Sequence, residues 1–352
     1  MPTSNVVGID LFCGAGGLSY GLKKAGISIV AGIDLDPSCE FPLTANNGTR
    51  FIKADIRKLK GDHLSELYPP GVIRLLAGCA PCRPFSPFRR GSNNSDHHEW
   101  GLLGEFRRLV GEVSPDLVTM ENVPDLASKP IFATFVRSLR KLGYHVDWRS
   151  VYCPPFGIPQ HRRRLVLVAS LIGDVKVPNG SVPPENFRTV RDTIESMAEL
   201  AAGEAAPKDP LHKARAVTAR NLQRLRASRP GGTWQDWPKA LRAPCHRRKA
   251  GASYKSVYSR MTWDEPAPTI TTQAFNFGTG RFGHPAQDRS LTLREAALLQ
   301  TFPRRYQFVK PGEPVYFSTI GRLIGNAVPP RLAFFIGKEL VRAARAHAKK
   351  DK

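Results

Sequence analysis

Val6-Val7-Gly8-Ile9-Asp10-Leu11-Phe12-Cys13-Gly14-Ala15-Gly16-Gly17 is the stretch on which the fold of this chain turns. An apolar run closes in a glycine-rich turn, and helical spacing follows over residues 18–25. Strand, tight turn and helix together open a parallel α/β layer. Glycines at such a turn let backbone amides approach a ligand, and a helix start favours electron-rich groups. The turn is not GxGxxG, so alone it reads equally as a tight strand–helix connection.

The same rhythm continues outward. Strand-like runs fall at residues 27–34, 51–56, 72–77, 117–120, 146–152 and 165–170, with helical spacing at 106–113 and 131–142. Strands alternating with helices predict an α/β fold with a mostly parallel, doubly wound sheet covered on both faces. After Ser170 the pattern breaks. Residues 174–284 carry Pro178, Pro183, Pro184, Pro207 and Pro210, then a basic stretch interrupted by aromatics, including Arg220, Arg224, Trp234, Trp237, Arg247, Arg248 and Tyr254. This segment reads as a separate, irregular module, leaving 1–173 and 285–352 as the main domain. Regularity returns at Thr292, an N-cap with Glu295 as its capping-box partner, and a last helix is expected over 332–346.

The chain has 352 residues, 41% of them hydrophobic, so a sizeable core is expected. Its net charge of +22 points to a polyanion, with nucleic acid first and an anionic membrane surface second. No stretch approaches the roughly 20 apolar residues of a membrane span. The first residues show no signal-like core, so a soluble, cytoplasmic protein is expected. Its 6 cysteines do not suggest a disulfide framework.

Gly78-Cys79-Ala80-Pro81-Cys82-Arg83-Pro84-Phe85-Ser86 follows one of the strand-like runs. A thiol on a proline-stiffened turn past a strand is well posed as a nucleophile, and Arg83, Arg89 and Arg90 would favour its thiolate. The C-x-x-C spacing also permits a redox pair, or a zinc site given two further ligands. We assign Cys82 as nucleophile and Cys79 as structural filler. Glu121 sits where a strand should end, at the edge where α/β sheets place their sites. Its bland alternative is a loop carboxylate paired with an arginine. Arg162 and Arg164 are two apart and can share a face, suited to a phosphate or a carbonyl oxygen. Asp34 and Asp55, at later strand ends, suit a ribose diol and an adenine amino group.

Taken in order, these segments resemble the DNA (cytosine-5) methyltransferases. Residues 10–17 look like that family's S-adenosylmethionine turn, Asp34 and Asp55 its ribose and adenine acids, Pro81-Cys82 its nucleophile motif and Glu121-Asn122-Val123 its Glu-Asn-Val motif. Gln160, Arg162 and Arg164 match Gln-x-Arg-x-Arg, residues 289–303 match the segment after the target-recognition region, and residues 325–330 match the last motif. The likeness covers most of 7–170 and 258–340. One departure is Arg83, where the family usually has Gln. A guanidinium there can hold a phosphate or fill the space of an extruded base, and can alter substrate or rate.

The resemblance implies a Rossmann-like methyltransferase fold with a smaller target-recognition domain over 174–284. It implies S-adenosyl-L-methionine as methyl donor, with S-adenosyl-L-homocysteine as product, and methylation of cytosine carbon 5 in a specific duplex DNA sequence. Cys82, Glu121, Arg162 and Arg164 become the catalytic set. Cofactor contacts are expected from Asp10, Phe12, Gly14, Gly16, Asp34, Leu35, Asp55, Ile56, Pro81, Leu102, Asn326 and Ala327. Arg83, Ser86, Arg89, Arg90, Gln160, Arg247 and Arg248 are expected on DNA, with residues 83–100 closing over it. No metal is expected. A monomer of bacterial or phage modification type, associated with the nucleoid through DNA, follows, and a cognate restriction endonuclease is a partner the resemblance leaves open. Two alternatives stay open: a tRNA cytosine-5 methyltransferase on the same scaffold, and a non-catalytic DNA-binding protein with a degenerate core.

Overall fold

The computed structural model describes residues 5–81, 101–248 and 257–350. The chain divides into two units, one of residues 1–156, 163–181 and 327–352 and another of residues 157–162 and 182–326. The first unit is built on the strands β1 (Val6–Leu11), β2 (Ser28–Asp34), β3 (Arg50–Lys53), β4 (Ile73–Gly78), β5 (Leu117–Asn122) and β6 (His145–Tyr152). The two-residue β7 (Gln160–His161) belongs to the second unit, and β8 (Arg163–Ser170) returns to the first.

The seven-stranded sheet runs β3-β2-β1-β4-β5-β8-β6. Pairs among β1 to β5 are parallel, while β8 is antiparallel to both β5 and β6. All of β1 and β5 is buried, which explains why their sequences are near-continuous rather than alternating in polarity. The core includes Ile9, Leu11, Leu76, Val118, Met120 and Leu165, together with Phe106 and Phe135. Those two phenylalanines come from helices Leu102–Val113 and Pro130–Lys141, and their ring centroids are 5.6 Å apart.

Helix Gly17–Lys24 packs against helix Pro330–Lys350. The approach needs a glycine: a Cβ on Gly21 would meet the carbonyl oxygen of Pro330, the Cβ of Ala333 and, at 2.7 Å, the amide nitrogen of Phe334. The last helix is longer than its apolar spacing suggests, because the polar residues of its final turns continue the backbone ladder.

The second unit is irregular, with short strands, single-turn helices and the longer helices Ala219–Ala227, Leu293–Leu299 and Phe317–Asn326. Trp234, Trp237, Leu225 and Phe277 form its own small core. The ring of Trp234 stacks on His246 at 4.3 Å, and Arg224 lies over Trp237 and Tyr258 at 5.7 and 5.5 Å. Trp234 and Trp237, which in the sequence look like aromatics interleaved for DNA, are therefore buried packing groups of the module itself. The capping box at Thr292 and Glu295 is formed. Residues 285–326 pack with this unit, whereas the sequence pattern places them with the first. The capped helix Leu293–Leu299 makes the tie: its Arg294 pairs with Asp209 at 2.6 Å, and its N-cap Thr292 Oγ1 lies 3.1 Å from His212 Nδ1.

Candidate active site

Three strand ends build the centre of the first unit. β4 and β5 run parallel with Gly78 opposite Met120, so the next pair along is Cys79 and Glu121. β5 and β8 run antiparallel with Glu121 opposite Val166, which makes Arg164 the diagonal, same-face neighbour of Glu121. Side chains follow that register. Arg164 Nε lies 3.0 Å from Glu121 Oε1, and Cys79 Sγ donates to Glu121 Oε2 at 3.2 Å. Glu121 is only 3% exposed, so this pairing keeps its charge from being a buried isolated one. Asn122 ties the two strand ends together, its Nδ2 donating to Ala80 O at 2.9 Å while its Oδ1 accepts from Val123 N.

Glu121 lies inside β5 rather than just beyond it, since the ladder to β8 extends through Asn122. Cys79, expected as filler, has polar contacts. Its amide donates to Leu11 O at 3.3 Å and its thiol faces the carboxylate. The parallel register was the signal that could have found it. Cys82, Arg83, Ser86, Arg89, Arg90 and the loop 83–100 lie outside the described residues.

A second cluster forms at the ends of β1 and β2. Phe12 adopts φ 58°, with Gly14 at 52° and Gly16 at 81°, so the chain turns sharply through left-handed positions into helix Gly17–Lys24. For Phe12 that conformation costs roughly 1–2 kcal/mol, a strain tolerated where a turn must hold one shape. Asp34 fastens the turn: Oδ2 accepts from Gly14 N and Oδ1 from Asp36 N, both at 3.0 Å. Burial raises the Asp34 carboxyl above its ordinary range. Leu35 beside it is 59% exposed, an apolar face next to an acceptor. Asp55 is bonded by Arg57 Nε at 2.9 Å and Arg57 Nη2 at 2.6 Å, and these bonds hold its carboxyl below the usual range. Ile56 is buried, with its carbonyl accepting from Arg108 at 3.2 Å.

Positive-φ glycines, an apolar exposed Leu35 and two carboxylates suit an adenosine: an open turn, a surface for a flat ring, and acceptors for hydroxyl and amino protons. Asp10 has a different place from the one expected. Its side chain is fully buried and accepts from Ser19 Oγ at 2.6 Å, bracing the turn from within. Pro81 and Leu102 are half-buried, Ala327 is buried, and Asn326 is exposed at the end of helix Phe317–Asn326.

Gln160 and Arg162 belong to the second unit and are buried there. Gln160 Nε2 donates to Gln300 Oε1 at 2.9 Å, and Gln160 Oε1 accepts from Ile270 N at 2.8 Å. Arg162 Nη1 donates to Ile270 O at 3.2 Å. Gln160, expected on DNA, is thus an internal brace with no exposed surface. Arg247 and Arg248 are exposed, as a phosphate contact requires. Among the described residues, no three His, Cys, Asp or Glu side chains group as metal ligands, and no helix is long and apolar enough to cross a membrane.

The chain is 50% identical over 337 residues to the type II methylase M.HgiDII of Herpetosiphon aurantiacus, across 95% of this chain and 94% of that protein. It is 30% identical to the type II methyltransferase M.PspPI of a Psychrobacter species, across 99% of this chain and 82% of that one. In fold it is similar to a prophage-encoded DNA modification methyltransferase of E. coli, with TM-score 0.73, 21% identity and coverage of 97% and 99%. It is similar too to the Dnmt2 methyltransferase of S. pombe, with TM-score 0.60, 19% identity and coverage of 95% and 98%. Residues 6–342 match the family described as C-5 cytosine-specific DNA methylase, which takes in both strand-end clusters, and to that family the chain belongs.

Proposed function

We propose that methylation of cytosine carbon 5 by this chain passes through a transient bond between Cys82 and carbon 6 of a base swung out of duplex DNA. The observation that carries the reading is the Glu121 carboxylate clamped between Arg164 and Cys79 at the end of β5, with the chain leading from β4 directly to Cys82. Carbon 5 of cytosine is a poor nucleophile. Cys82, as thiolate, adds to carbon 6, and the electron pair of the carbon 5–carbon 6 bond moves into the ring. Glu121 shares a proton with N3 and accepts from the exocyclic amine, so charge does not build up on the base. Arg164 holds Glu121 for that task through Nε and offers Nη2 to the O2 oxygen, its Nη1 being bonded to Arg163 O. When bound, S-adenosyl-L-methionine supplies an electrophilic methyl group. Asp34, Leu35, Asp55 and the Gly14–Gly16 turn would hold it. Once carbon 5 carries its methyl group, loss of the ring proton to solvent returns the electron pair and expels Cys82 as thiolate.

Cys79 does not compete for the nucleophile's role. A thiolate there would face the Glu121 carboxylate, and like charges oppose ionisation. The target base must leave the stack, at a cost of a few kcal/mol. Exposed arginines of the second unit, Arg247 and Arg248 among them, supply phosphate contacts in this reading. A cognate restriction endonuclease, action in the cytoplasm on the nucleoid, and a target-recognition role for the second unit complete the proposal. The test is bisulfite sequencing of DNA from cells expressing wild type and Cys82→Ser. Wild type should leave one protected sequence context and Cys82→Ser none, and protection by the variant would remove Cys82 from the mechanism.

A further inference from the structure

We infer that Cys79 is a positioning residue for the methyl-transfer step, fixing Glu121 through its thiol proton. This rests on Glu121 acting at the base, as argued above. Two donors approach the carboxylate from different strands: the Arg164 guanidinium from β8 on Oε1, and the Cys79 thiol from the end of β4 on Oε2. Arg164 holds one carboxylate oxygen and the Cys79 thiol the other, so the pair defines the plane of the group. Cys79 is itself placed by its amide bond to Leu11 O, and the neighbouring Ala80 carbonyl is held by Asn122. The thiol is therefore carried by backbone fastened to β1 on one side and β5 on the other. A donor on Oε2 also favours the charged carboxylate, and a carboxylate beside Cys79 keeps that sulfur protonated. Of the two sulfurs in C-x-x-C, one is kept as a thiol to donate a proton bond, leaving the other for nucleophilic chemistry.

The full-length chain with duplex DNA carrying its target tests this in two ways. The first reads Cys79 chemically. Iodoacetamide labelling of the Cys79 peptide is followed by mass spectrometry as a function of pH, in wild type and in Glu121→Gln. With the charge removed, the pH at which Cys79 becomes reactive should fall by about one unit or more, since a neighbouring like charge no longer opposes the thiolate. An unchanged midpoint overturns the inference. The second reads the reaction. Single-turnover methyl transfer by Cys79→Ala should be slower by about 10-fold, the scale of one hydrogen bond to a charged group, with the limb that Glu121 sets in the pH–rate profile moved to higher pH and DNA affinity unchanged. Cys79→Ser, which restores a donor, should return the rate to within a few-fold and the limb to its original position. Equal losses in the Ala and Ser variants without a limb shift would reduce Cys79 to a space-filling role and refute the inference. If Glu121→Gln retained full activity, the reading of Glu121 itself would fall, a different result from a failure of Cys79 alone.

Discussion

Asp10 holds a proton at near-neutral pH because burial raises its carboxyl from 3.8 to about 7, the bond from Ser19 notwithstanding. An unfolded chain releases that proton near the ordinary value. The folded state therefore binds the extra proton between these limits, and stability falls as pH rises from about 4 through about 7. Asp34, also raised, acts in the same direction. Asp10→Asn has no proton to lose, so its melting temperature should decline less over this range than wild type's. Parallel curves for the two proteins would rule Asp10 out as the source. At this scale the positions of Asp34, Glu121 and Arg164 near strand ends were readable from where the apolar runs stop or start. The sequence misled where side-chain direction decides. Cys79 looks like filler until the register of β4 against β5 turns it toward Glu121. Gln160 sits in a charged run, yet its side chain points inward to Gln300.

Helix Gly17–Lys24 and helix Pro330–Lys350 meet across Gly21, and two opposing effects can be weighed there. By propensity alone, Gly→Ala in a helix gains roughly 0.5–1 kcal/mol. Here the new methyl would meet the backbone of Pro330 and Phe334, which cannot turn aside as a flexible side chain can. Overpacking of that kind costs about 1–3 kcal/mol, so the clash wins. Gly21→Ala should lower the urea midpoint, and a rise would show that the helices part freely. Apolar runs announced β1, β4, β5 and β8 well because these strands are largely buried on both faces, whereas the edge strands β3 and β6 are partly exposed. Helix Glu40–Asn47 was missed: it is short, and its apolar positions are too few to set a period. The antiparallel placement of β8 was not legible either, since a buried strand reads the same in both directions.

At the scale of the whole molecule the charge of +22 matters most. Buried Arg260, Arg289 and Arg294 are held by internal carboxylates, so the exposed arginines are the ones left for phosphates. Raising salt from about 50 to 200 mM should weaken DNA binding on the order of 10³-fold if about six phosphates are neutralised, measured by fluorescence anisotropy. A flat profile would mean that charge is not what holds DNA. The division into two units was visible in the break of rhythm after Ser170, but its far boundary was not. Residues 285–326 look as regular as the sheet-bearing part, and only their ion pairs show where they pack.

The contact between the two helices at Gly21 also bears on synthesis. Leu18 and Leu22 are covered in the finished protein, and Ala333 is among the residues that reach that helix pair. A ribosome adding about 5–20 residues per second takes roughly 15–60 s to travel from Gly21 to Ala333. Throughout that interval the nascent helix has an oily flank with no mate, a natural landing place for a chaperone, and the last covering of the sheet must be set after translation has passed residue 330.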